Sequence, residues 1–219
     1  MAWTTARVHH EILQGFVERG HPPRLPEEAH PALRQLEAEH GVVLHPGTTE
    51  VWIAHPFSAS PTAVWVERRG ADLGWWAPCL WCAMGIVALA APDATIHVRF
   101  GGEAEAVAIR VDGATRVAPE ACVHFPIPLR DAWSNVVHFC ASVLPFRSEG
   151  DVAAWSQRHD LPRGAVVPLA QVLELARAWY GNHLAPDWRK WTVAEAQQIF
   201  TRVGLVGAHW QLSGASERF

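Results

Sequence analysis

The run Trp76–Gly85, WAPCLWCAMG, sets two cysteines three residues apart in a chain that has only four. Pro78 suits the first turn of a helix, where its fixed φ fits and its missing N–H is not needed. The apolar run goes on to Ala91 and meets Pro92, so the pattern predicts a helix from Pro78 through Ala90. Helix geometry then puts Cys79 and Cys82 one turn apart on one face, near the N-terminal end. The partial positive charge at a helix N-terminus favours thiolate, the nucleophilic and metal-binding form of cysteine. Four uses of such a pair are open. A thioredoxin-type redox pair needs a βαβ setting, and the strands that follow here read as antiparallel. A structural zinc site needs four ligands, and no second Cys-x-x-Cys exists, with Cys122 and Cys140 isolated. A catalytic or soft-metal thiol and plain core filling remain, since free cysteine is often buried.

Working outward, Val8, Ile12, Leu13 and Phe16 recur at helical spacing before Gly20, and Leu33 and Leu36 mark a second helix between Pro26 and Gly41. VVLHPGTTEVWIAHPF, 42–57, reads as a hairpin around Pro46-Gly47. Two helices and a hairpin predict a winged-helix-like unit over residues 1–57, with a second unit over 58–219. DNA binding is not expected of it, because the second helix carries Glu37 and Glu39 against Arg34 alone. Strands are predicted at Val64–Glu67, Leu73–Trp76, TIHVRFG, AEAVAIRV, ATRVAP and ACVHFPI. Helices return at Glu149–His159, Pro168–Tyr180 and Val193–Val203. No assignment emerges for WSNVVHFCASVLPF. The fold class expected is α+β: a helical N-terminal unit, then a mixed, largely antiparallel β core with flanking helices.

Composition narrows the function. The 219 residues are 49% hydrophobic and 18% charged, with net charge -4 and no basic block, which fits a globular protein and argues against a nucleic-acid binder. The longest apolar run has about thirteen residues against roughly 20 for a membrane span. The N-terminus has no signal-peptide layout. A cytoplasmic protein is expected, with its cysteines kept as thiols. No Gly-x-Ser-x-Gly, Walker loop or zincin motif is present, and the 13 histidines are scattered.

At Cys82 the chain resembles a known family. GWWAPCLWCAMGIVALA, 74–90, is similar to the segment of organomercurial (alkylmercury) lyases in which a strand runs into Trp-Cys-Ala, a hydrophobic residue and Asp, then an apolar helix. FCASVLPFRSEGDVAAWSQRHDLPRGAVVPL, 139–169, resembles their second catalytic segment, with Phe139-Cys140, Phe146, Ser148, Trp155 and His159 on matching positions. AHPFSASPTAVWV, 54–66, looks like a third stretch upstream. The resemblance spans about residues 5–175. It implies Cys82 and Cys140 as catalytic thiols that hold mercury, a soft metal that thiolate suits. It also implies protonolysis of a carbon–mercury bond, with Hg(II) left on the thiols as product and no resident cofactor.

One position departs from the family. Gly85 stands where the aspartate that handles the proton belongs, and glycine has no side chain for acid–base work. Cys79 is an addition, able to act as a third metal ligand or a proton-bearing thiol. Glu120, Asp131 and Glu149 are candidate substitute carboxylates. The expectations are therefore a lyase acting on a small-molecule substrate, a Hg(II)- or Cu(I)-holding protein without turnover, a family member repurposed for an organic substrate in a biosynthetic pathway, or a regulatory or structural protein on the same fold. Four late tryptophans, Trp179, Trp188, Trp191 and Trp210, either line a pocket for a flat ligand or seal the core or a homodimer interface.

Overall fold

The computed structural model describes residues 2–103, 105–116, 120–213 and 218–219. The chain opens with helix α1 (Thr5–Arg19), N-capped by Thr4, whose hydroxyl accepts the Arg7 N–H. It ends at Gly20, whose φ of 79° is the left-handed conformation glycine adopts freely. Its buried stripe is Val8, Ile12, Leu13 and Phe16, as the spacing predicts. Helix α2 (His30–Ala38) follows and buries Ala32, Leu33 and Leu36 in the same core.

The strands β1 (Val43–Leu44) and β2 (Val51–Ala54) form the predicted hairpin, and β3 (Phe57–Ser58), β4 (Trp65–Arg68) and β5 (Gly74–Trp76) continue it. After helix α3 (Leu80–Leu89) come β6 (Asp93–Arg99), β7 (Ala106–Asp112) and β8 (Thr115–Arg116). Together they make an eight-stranded antiparallel sheet in the order β1-β2-β3-β5-β4-β6-β7-β8. Its ladder runs without a break from the first hairpin into the strands beyond residue 57. The end of the ATRVAP run, 117–119, lies outside the described residues.

A second, three-stranded sheet is built from β9 (Cys122–Phe125), β10 (Leu144–Phe146) and β11 (Ala165–Pro168), with β9 central. Helix α4 (Val136–Ser142) precedes β10 and α5 (Glu149–His159) follows it. Helices α6 (Leu169–Tyr180) and α7 (Val193–Arg202) complete the chain. The architecture is α+β, with antiparallel strands throughout the described sheets.

Helix α3 is the centre of the molecule. Leu80 through Val87 are all buried, which fits a helix apolar on every side rather than along one stripe. It packs against α6, and β4 and β6 lie on its flank. The α1 end is pinned to the sheet by the Trp75 indole N–H, which donates to the Phe16 carbonyl at 2.6 Å.

Candidate active site

The helix that carries the cysteine pair starts two residues later than its sequence predicts. Cys79 is extended, at φ -157° and ψ 179°, and serves as the N-cap of α3. Its sulfur accepts the backbone N–H of Cys82 at 3.4 Å. Cysteine is a poor cap as a neutral thiol, and a thiolate at this point has the helix dipole in its favour. Cys140 comes to the same place on α4, a helix capped by the Asn135 side chain, which accepts the His138 N–H at 3.0 Å. The Cys79, Cys82 and Cys140 side chains lie close enough to shift one another's titration. All three cysteines are free and buried.

Two further side chains complete the cluster. The Tyr180 hydroxyl, at the C-terminal end of α6, is 3.4 Å from the Cys82 sulfur. The His55 Nε2, in the turn between β2 and β3, is 3.5 Å from the Cys140 sulfur. The ligand atoms of His55, Cys82 and Cys140 all fall within 4.8 Å of one another.

Burial and charge divide the protons among these groups. Burial alone would raise the Cys79 thiol, but hydrogen bonds from Cys140 and Cys82, the Cys82 N–H and the nearby His55 carry it well below the ordinary range. Burial holds Cys82 well above that range. Cys140 is raised too, first by its hydrogen bonds to Cys79 and Cys82 and then by burial. Of the three thiols, Cys79 is the one pulled toward the thiolate form, while Cys82 and Cys140 are held toward the neutral one. Burial lowers His55 to about 4, and it raises Tyr180 well above its usual value with the thiols adding to it. Both are neutral at neutral pH.

Cys82, Cys140, His55 and Tyr180 line a cavity of about 60 Å³, room for several waters or a small organic group. Cys79 does not line it. The walls are aromatic: Trp81, Trp133, Phe139, Trp179, Trp188 and Phe219. His9 stacks on Trp188 with ring centroids 3.5 Å apart. Lys190 donates to the Glu39 carbonyl at 2.8 Å and stands 4.1 Å over the Trp133 ring. Of the four late tryptophans, Trp179 and Trp188 face the cavity. Trp210 packs against Phe125 and Phe200, and Trp191 donates its indole N–H to the Trp179 carbonyl at 3.0 Å.

The structure brings Cys79, Cys82 and Cys140 together and leaves Cys122 apart, in a small cluster with Phe146 and Val152. None of the candidate carboxylates joins them: Glu120, Asp131 and Glu149 are exposed, and among the described residues no acidic side chain lines the cavity. The reason is at Gly85. A Cβ built there would stand 2.4 Å from Tyr180 Cδ2 and 2.6 Å from Cε2. The Tyr180 ring fills the space an aspartate would take and carries its hydroxyl to Cys82. Neither Tyr180 nor His55 was expected from the sequence.

Fold and site define the class: an α+β protein with a cluster of buried thiols beneath an apolar cavity. The alkylmercury lyase (MerB) family profile matches residues 57–181, more than half of the chain, and the chain belongs to that family. The crystal structure of the mercury-bound form of MerB2 shares the fold, with a TM-score of 0.60 at 19% identity over 82% of this chain and 89% of that one. Curated protein sequences give no match.

Proposed function

We propose that this protein is a carbon–mercury lyase that works through Cys140 and Cys82, with Cys79 as the anionic sulfur that takes up a proton. Family membership and the cluster of thiols support this reading. The observation that carries it is the placement of Cys82 and Cys140 on one cavity, with the Cys79 sulfur capping α3 at the Cys82 N–H.

The chemistry follows from that arrangement. An organomercury cation enters the cavity with its organic group against the aromatic walls. Cys140 bonds to mercury and gives its proton to the Cys79 thiolate. Cys82 bonds next and supplies the proton that carbon needs. The C–Hg electron pair goes to carbon, a hydrocarbon leaves, and Hg(II) stays on two sulfurs. Small thiols in solution then remove it.

Incubation with phenylmercury and excess thiol, with benzene measured by gas chromatography, tests the proposal. Wild type is expected to release benzene and Cys82→Ser to release none. Benzene at equal rates from both would sink it. The second reading is retention of a soft metal such as Hg(II) or Cu(I) without turnover, which the close His55, Cys82 and Cys140 ligand atoms favour. Phenylmercury bound in a one-to-one ratio with no benzene released would select it.

A further inference from the structure

We infer that Tyr180 is a catalytic residue, the proton relay between Cys82 and the carbon of the substrate, and that Gly85 is the vacancy in α3 that lets its ring in. This rests on the lyase reading of the same site. Three observations carry it. The Tyr180 hydroxyl is 3.4 Å from the Cys82 sulfur, in a bond where either atom can be the donor. Both residues line the cavity that the organic group would fill. The ring sits on the α3 backbone at Gly85, at a distance no Cβ would allow.

A relay is needed because sulfur has two tasks. As Cys82 bonds to mercury it directs a lone pair at the metal, and its proton must leave in another direction. A phenol is both donor and acceptor, so it can take the proton from sulfur and give its own to carbon in one movement. The step balances: R–Hg–S(Cys140) and H–S(Cys82) become R–H and S–Hg–S, with no oxidant or reductant. Tyr180 ends as it began, a neutral phenol, which suits a buried site where a lasting phenolate would be costly. His55 sits on the other sulfur, Cys140, and so lies on the capture side of the reaction.

The chain has a single tyrosine, and that makes the test clean. Tyr180→Phe keeps the ring over Gly85 and removes only the hydroxyl. Its capture of phenylmercury, read by loss of titratable thiols, is expected to match wild type, and its benzene release in one turnover to be slower by roughly 10²- to 10⁴-fold, the usual weight of a general acid. Release from Tyr180→Phe within about threefold of wild type would overturn the relay and leave the lyase reading standing. So would a comparable loss in His55→Gln with none in Tyr180→Phe. Wild type that captures phenylmercury and releases no benzene would overturn the lyase reading, and the relay with it.

Discussion

Gly85 and Tyr180 compete for one volume, and this has an energetic consequence. An aspartate at position 85 would restore the carboxylate of the family pattern but would drive its Cβ into the Tyr180 ring. Overpacking of this kind costs about 1–3 kcal/mol, and an unpaired buried carboxylate adds to it. Gly85→Asp is therefore expected to lose about 3 kcal/mol or more in urea unfolding, and Tyr180→Ala about as much as other large-to-small core changes, ~3–5 kcal/mol. The double variant should lose less than the sum by at least ~1 kcal/mol, because each change makes room for the other. Strict additivity would show that ring and Cβ do not compete. At this scale the sequence was half legible. A Cys-x-x-Cys at a helix start and a further cysteine in a matching segment singled out the thiols that the structure brings together. The partners were not legible, because Tyr180 and His55 come from 98 and 85 residues away. Two unused signals could have led to Tyr180: it is the lone tyrosine, and a glycine inside an all-apolar helix asks what bulky neighbour needs the space.

The start of α3 joins structure to reactivity in one atom. Cys79 caps the helix through its sulfur, so its loss should register twice. Cys79→Ala is expected to cost about 1 kcal/mol in stability, the usual worth of an N-cap, and Cys79→Ser to recover most of it. Both should slow phenylmercury capture, since a serine hydroxyl stays protonated and cannot take the proton from Cys140. Stopped-flow capture rates for the two variants check this, and a Cys79→Ser rate equal to wild type would remove Cys79 from the chemistry. Elements with a clear period were read from the sequence to within a few residues. α5 matches its expected bounds, α6 and α7 are off by a residue, and α1 stops at Gly20 as its spacing predicts. α4 was missed because Val136-Val137 and Phe139 favour strands. Its helical state is set by the Asn135 cap and by packing that buries Phe139 and Cys140, neither of which periodicity reveals.

The whole molecule closes over the site from both ends of the chain. His9, His40 and His55 precede the family match or fall within the N-terminal part, and His183, Trp188, Lys190 and Phe219 follow it. Eight of the cavity's eighteen lining residues thus come from outside the matched segment. Three of these histidines are held neutral. Burial lowers His9 well below its ordinary value, His55 to about 4 and His183 to about 3. The unfolded chain takes up protons near pH 6.5 that the folded one refuses, so their contribution to stability is full above that pH and drains away as pH falls toward the folded values. The expected slope is up to ~1.4 kcal/mol per pH unit for each histidine. Urea midpoints followed from about pH 7 to 5 should fall accordingly, and His183→Asn should flatten the curve. An unchanged slope in that variant would mean His183 is already protonated in the fold.

The mutual exclusion at positions 85 and 180 also constrains descent. A chain that carries both a carboxylate at 85 and a phenol at 180 loses stability to the overlap, so an exchange of one group for the other is easiest through glycine at 85.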